Sequence, residues 1–222
     1  MGTVLAVPRT AGLEPKASFG YALFQAAKGD AMDFETLIVR NRSYRRFDQS
    51  RPIERETLRR LVDIARRTPS AANRQPLKYV LLNHADTCAR LFPYLGWAAA
   101  LKDWPGPAVG ERPTAYIIIL CDNHIAKNAG CDHGIAAQSM LLAAVEKGLG
   151  GCMIGTVQRD GVRKEFGIPE RYEILLVIAL GVPAEKCVLE DMQPGGSPDY
   201  YRDAQRVHHV PKRPLEEVII EL

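Results

Sequence analysis

The stretch Asp132–Gly155, DHGIAAQSMLLAAVEKGLGGCMIG, decides how the rest of the chain is read. Asp132 has the chemistry of an N-cap, a carboxylate able to accept from the free N–H groups of the following turn. From Ile135 to Val145 the residues are apolar on nearly every side, interrupted by Gln138 and Ser139. A helix without a polar face belongs in an interior or between subunits. Glu146 and Lys147 return it to solvent, and Gly148 is placed for a C′ stop. The glycine-dense run Leu149–Gly155 then enters a short buried strand, predicted over Cys152–Val157. Glycines there let a backbone approach a flat ligand or another chain closely. A core helix followed by a tight turn explains the segment equally well.

Outward from this core, strand-like apolar runs at Leu77–Leu82, Thr114–Cys121 and Glu173–Gly181 alternate with helical patterns. Residues 33–40 place Phe34, Leu37 and Ile38 on one helical face. Glu54–Arg67 places Leu58, Leu61, Val62 and Ala65 on another, and shorter helices are predicted at 86–93 and Arg159–Phe166. Between them lie a proline-bracketed polar loop, Thr68–Pro76, and an apolar stretch without period, Tyr94–Arg112, of the composition found in covers over sites. The tail from Pro183 reads as turn chemistry around Pro194–Pro198, then Val207–Pro214, then Leu215–Leu222. Alternation of strands and helices gives an α/β or α+β class with a central sheet.

A chain of 222 residues suits one domain with an appendage. Residues 1–31 have two prolines, four glycines and no sustained period, and are read as an extension, disordered or foreign to the fold; 32–222 form the domain. The segment lacks the apolar core of a signal peptide and carries Glu14 and Asp30, which transit peptides avoid. The net charge of +3 is spread along the chain, too weak a bias for nucleic acid or an acidic membrane surface. The longest apolar runs, Ala115–Cys121 and Ile174–Leu180, are strand-sized, so no membrane span is expected. Five widely spaced cysteines without a C-x-x-C pair suggest reduced thiols in a cytoplasm. His124, Cys131 and His133 lack the partners of a tetrahedral metal set, and no metal is expected.

Several signatures are missing. Gly148-x-Gly150 would need glycine at 153 for a dinucleotide fingerprint, and Met153 stands there; a Walker loop, a nucleophile elbow and H-E-x-x-H are absent. Polar loops remain. Arg42, Ser43 and Arg45 provide two guanidinium forks and a hydroxyl, equipment for a phosphate or merely a solvated cationic turn. Ser70, Asn73 and Gln75 offer amides that can donate and accept along the edge of a flat heterocycle, or an ordinary polar turn. Lys212 and Arg213 add charge near the C-terminus.

In order, these segments read R-S-x-R-x-F, P-S-x-x-N-x-Q-P, D-x-G-x-A-x-Q-S, G-L-G-x-C-x-I-G and a basic residue before P-L-E-E. That succession resembles the FMN-dependent nitroreductase family from about Met32 to Leu222. The resemblance implies an α+β fold with a central mixed or antiparallel sheet flanked by helices, in an intertwined homodimer built through the 132–148 helix. It implies that Arg42, Ser43 and Arg45 hold the FMN phosphate, ribityl chain and near ring edge. Ser70, Asn73 and Gln75 would line the isoalloxazine, Ile154 and Gly155 would face flavin N5 with backbone N–H groups, and Lys212 or Arg213 would meet the phosphate. Asn41 stands where many members carry arginine, which leaves open which cations meet the phosphate. Activity by resemblance is hydride transfer from NADH or NADPH through the flavin to a small-molecule acceptor such as a nitroaromatic or quinone, with no side chain acting as acid, base or nucleophile. The alternatives are a dedicated reductive enzyme, dehalogenating or flavin-fragmenting, and a flavin-binding regulatory protein of low turnover. A further physical reason favours the dimer: a helix apolar all round needs more cover than one small sheet provides.

Overall fold

A computed structural model of the chain describes residues 32–101 and 103–222, and Met32–Leu222 form one compact unit. The extension assigned to residues 1–31 lies outside the described residues. Four strands form an antiparallel sheet in the order β1 (Leu77–Leu82), β2 (Ala115–Asp122), β4 (Tyr172–Gly181), β3 (Gly150–Ile154). All eight positions of β2 are buried, as an apolar run covered on both faces requires. Alternate residues serve alternate layers. Ile117, Ile119, Ile178 and Leu180 pack on one face with α2 (Arg55–Ala65) and α4 (Asp132–Glu146). Tyr116, Ile118, Val177 and Ala179 pack on the other with α3 (Ala85–Leu91) and α5 (Arg159–Phe166). The result is an α+β fold of three layers.

A register shift in β4 opposite Ile119 and Leu120 leaves Leu175 as an extra residue, a β-bulge. Arg159 meets it, donating from Nε to Ile174 O at 2.8 Å and from Nη2 to Leu175 O at 3.1 Å. The ladder carbonyls freed by the bulge are thereby satisfied.

Three sequence expectations need correction. Asp132 is the first residue of α4, with Cys131 at the cap position, and its carboxylate bonds to a distant loop instead of the helix's own N–H groups. The third strand begins at Gly150 and ends at Ile154, ahead of the expected 152–157, because glycine is needed at its start. A Cβ on Gly151 would collide with the Ala179 carbonyl, and one on Gly150 with the Tyr44 ring. The close approach those glycines permit is thus to the chain itself. Gly148 does terminate α4, at φ +70°, with Leu149 N–H donating to Ala144 O at 2.9 Å in a Schellman arrangement. Finally, the tail holds a second sheet the sequence did not suggest, β5 (Cys187–Asp191), β7 (His208–Lys212) and β6 (Tyr201–Arg202), with β5 parallel and β6 antiparallel to β7. Only Leu215–Val218 is helical in the final stretch, as α6.

The first helix, α1 (Phe34–Arg40), forms where expected, with Asp33 Oδ1 accepting from Thr36 N at 2.7 Å. None of its residues is buried: Leu37 is half-covered where the helix meets α4, while Phe34 is 69% exposed and Ile38 and Val39 also face outward among the described residues. Among the described residues no helix is long and apolar enough to cross a membrane.

Candidate functional site

The cationic segment after α1 lies along the free edge of β3. Ser43 forms a parallel bridge to Gly151, and Tyr44 N–H donates to Gly151 O at 3.1 Å. Arg42 is anchored through Nη2 to Ile38 O at 2.8 Å, while its buried Nε has no partner. Burial pulls the Arg42 pKa below the ordinary arginine value. A partly desolvated cation with an unused donor is a ready acceptor of anionic charge. Arg45 donates from Nη1 to Ser43 O at 3.2 Å and lies 4.9 Å over the Tyr200 ring. Its Nη1 is 3.4 Å from Nε2 of His208, which is buried. Burial pushes the His208 pKa down to about 4, so the ring is neutral at pH 7 and does not repel the guanidinium.

Arg45 opens into a cleft of ≈ 210 Å³ walled by Gly96–Ala99 on one side and Cys152–Thr156 on the other, with Tyr200 alongside. Ile154 turns into the core, whereas Gly155 is exposed with open space where a Cβ would stand. Arg159 Nη2 reaches the Gly155 carbonyl at 3.4 Å, tying that turn to the bulge in β4. The expected residues Arg45, Ile154 and Gly155 are therefore brought into one cleft, with Ser43 and Arg42 beside it on the β3 edge.

The second expected loop is built differently. Asp132, 5% exposed, accepts from the Ser70 hydroxyl at 2.6 Å and from Ala71 N–H at 3.0 Å. Ser70 Oγ in turn accepts from Gln75 N–H at 2.9 Å, so the hydroxyl is spent inside the loop. Ala72, Asn73 and Gln75 all have positive φ, of 49°, 52° and 52°. Non-glycine residues in that region cost energy and persist where surroundings over-determine them, commonly at functional sites. Asn73 and Gln75 are exposed, with the Gln75 amide donating to Asn73 Oδ1 at 3.0 Å. This loop enters β1, one edge of the four-stranded sheet, while Ile154 and Gly155 stand at the opposite edge. Three strand spacings separate the edges by about 14 Å. Within one chain the structure does not bring the two groups together.

Lys212 ends β7 and is exposed; Arg213 pairs with its own neighbour Glu217 at 3.0 Å. Among the described residues neither shares a hydrogen-bond partner with Arg42 or Arg45. Sequence reasoning missed Trp97, Thr156, Tyr200 and Glu185. Glu185 accepts from the backbone N–H groups of Arg45 at 2.5 Å and Arg46 at 3.1 Å, fixing the cationic segment from a distance of 140 residues. The sequence signal for Tyr200 was an aromatic pair, Tyr200–Tyr201, inside a turn-rich tail.

Taken as a class, this is a three-layer α+β protein with a cationic segment and an open backbone turn along the β3 edge of its sheet. The chain matches the nitroreductase family over residues 38–130 and 111–182, and it belongs to that family of flavin-dependent oxidoreductases. A Methanothermobacter thermautotrophicus protein bearing the name NADH dehydrogenase/NAD(P)H nitroreductase is 30% identical over 172 residues, covering 74% of this chain and 85% of its own. A solved structure from Parabacteroides distasonis, given the same name, aligns with a TM-score of 0.56 at 26% identity, over 68% of this chain and 86% of that one. An FMN-dependent nitroreductase from Clostridium difficile shares the fold, with a TM-score of 0.53 at 22% identity over 68% of this chain and 87% of that one.

Proposed function

We propose that the protein is an FMN-dependent oxidoreductase that draws hydride from NADH or NADPH and delivers it to a nitroaromatic or quinone acceptor. The observation that carries the reading is the placement of Arg42, Ser43 and Arg45 directly beside Gly151–Gly155. A phosphate and a ring system joined by a short chain need those two features next to each other. The residues present fit the group: Arg42 has an unused buried donor, and Gly155 leaves room for a flat ring against backbone. Bound there, FMN supplies hydride-transfer chemistry at its N5 atom.

The chain's part is to bind and to exclude. Arg42 and Arg45 balance anionic charge, and Arg159 holds the turn at Gly155. Of the titratable groups described at the cleft, the two most buried are unsuited to acid–base work. Burial holds the Cys152 thiol up at about 12 and the His208 imidazole down at about 4, so neither ionises near neutrality. On this reading catalysis rests chiefly on positioned donors and on the bound ring.

The reading includes a homodimer through the 132–148 helix. A cleft of ≈ 210 Å³ is smaller than the roughly 300–1,000 Å³ of ligand pockets, so more wall is needed. The loop Ser70–Gln75 of a second copy, with Asn73 and Gln75 unburied, is the natural source. Exposed apolar side chains at Phe34, Ile38 and Val39 of α1, and Ile135 of α4, support such a partner. Lys212 and Arg213 remain candidates for the phosphate end.

The test is the absorbance spectrum of purified protein, before and after anaerobic NADH or NADPH. A bound flavin band that bleaches, then returns on adding menadione or a nitroaromatic, is the expected result. Colourless protein that takes up no added FMN overturns the reading.

A further inference from the structure

The wall Gly96–Ala99 belongs to a longer segment held at three points. Gly96 N–H donates to Thr156 O at 2.8 Å, fixing the near end beside the cleft. Ala100 N–H donates to the Tyr200 hydroxyl at 3.3 Å. Successive turns, Leu101 N–H to Ala98 O at 2.8 Å and Trp104 N–H to Leu101 O at 3.0 Å, carry the segment on to Trp104. There two guanidinium groups lie over the indole, Arg202 at 4.1 Å and Arg46 at 5.7 Å from the ring centroid.

Those cations are not free to wander. Arg202 donates to Glu185 Oε2 at 3.0 Å, and the same carboxylate, 1% exposed, holds the backbone of Arg45 and Arg46. Arg46 Nε also stands 3.3 Å from Glu111, which Arg206 meets at 2.6 Å. One buried carboxylate therefore references both the cationic segment and the arginine that grips Trp104. Indole is the best aromatic face for a cation and arginine the cation most often found over it, an attraction that grows where solvent is excluded.

We propose that Trp104 is a specificity-determining latch for the acceptor-facing wall, with Glu185 as the positioning residue that sets its catch. The latch rests on the proposed function, because the wall matters for turnover only if the cleft takes ring and acceptor. With the far end held, the cleft keeps its narrow width; released, the wall Trp97–Leu101 swings on the Gly96 anchor and the cleft admits bulkier acceptors at the expense of grip on small ones.

The experiment compares the wild-type holoenzyme with Trp104→Ala, Trp104→Phe and Arg202→Met, using 1,4-benzoquinone and menadione as small and bulky acceptors. Loss of the cation–π grip in Trp104→Ala should raise the KM for benzoquinone roughly 2- to 10-fold, with kcat and bound flavin unchanged. The preference should shift toward menadione, and tryptic cleavage within 97–112 should accelerate. Trp104→Phe, which keeps an aromatic face, should restore most of both effects. Unchanged KM and cleavage in Trp104→Ala overturn the latch, as does a fall in kcat and flavin content at constant KM, the mark of a merely structural residue. If Trp104→Ala does not fold, Arg202→Met must reproduce the KM shift and the cleavage, and its failure to do so overturns the latch equally. A wild-type protein without flavin turnover counts against the proposed function instead, and the cleavage rates then decide the latch alone.

Discussion

At the scale of single residues, Arg42 and Asp132 show how similar-looking polar positions differ in purpose. Arg42 has one guanidinium nitrogen tied to Ile38 and another buried without a partner. Burying a polar donor without a bond is unfavourable, so the position makes sense when an anion completes it. Arg42→Ala should weaken FMN by roughly 1.5–3 kcal/mol, the range of a hydrogen bond to a charged group. A flavin titration of the apoprotein measures it, and unchanged affinity removes Arg42 from the phosphate site. Asp132 has every visible reason to be a helix cap and is instead the clasp of a loop 62 residues away. Nothing local in the sequence distinguishes those roles, since N-cap and loop-clasp carboxylates carry the same composition. The loop it holds was legible as polar and proline-bracketed, but the positive φ values at Ala72, Asn73 and Gln75 were not, because only tertiary bonds sustain them.

At the scale of elements, legibility follows how local the cause is. Strands β1, β2 and β4 and helices α2 and α5 were readable because apolar periodicity is written in consecutive residues. The tail sheet was not: β6 has two residues, and β5 pairs in parallel with a strand about twenty residues on, so neither announces itself. Its cohesion comes from a cluster at its centre. His209 on β7 lies between Glu190 of β5, at 2.5 Å from Nδ1, and Asp203 beyond β6, at 3.0 Å from Nε2, with Tyr201 of β6 stacked at 4.6 Å. Tyr201 also donates to Glu190 at 3.1 Å, and the neighbouring His208, with its pKa near 4, adds no charge. The hydrogen bond to Asp203, then that to Glu190, raises the His209 pKa above 6.5, and the bond from His209 lowers Asp203 below 3.8. A raised imidazole stabilises fully below 6.5 and loses its contribution as pH climbs through the folded-state value. A lowered carboxyl contributes above 3.8 and loses it as pH falls through its own folded-state value. The small sheet is therefore firmest between those limits. Thermal unfolding from about pH 5.5 to about pH 9 should show a falling midpoint in the wild type and a flatter profile in His209→Gln. Parallel profiles would show that His209 does not gate this sheet.

At the scale of the whole molecule, the proposed function requires two residue groups on opposite sheet edges to meet. Ser43, Arg45 and Gly155 gather at the β3 edge, while Asn73 and Gln75 precede β1, about 14 Å away across three strand spacings. A covered β2 and β4 stand between them, so no side-chain motion closes the gap. A two-fold partner can, because each copy then offers its β1-edge loop to the other's β3-edge cleft. Exposed apolar side chains such as Phe34 of α1, at 69%, and Ile220 of the C-terminal stretch, at 82%, would give that partner something to bury. Subunit mixing separates the two arrangements. Arg45→Ala should disable the cleft, and the double change Asn73→Ala with Gln75→Ala should disable the loop, so each homodimer loses both sites. In a mixed dimer with sites shared between chains, one site receives both defects and the other receives none. Co-expressed and doubly tagged heterodimers should then recover about half of wild-type NAD(P)H oxidation per dimer, the value set by one intact site in a two-fold assembly. If each site lies within one chain, both sites of the mixed dimer carry a defect and activity stays at the level of the homodimeric variants.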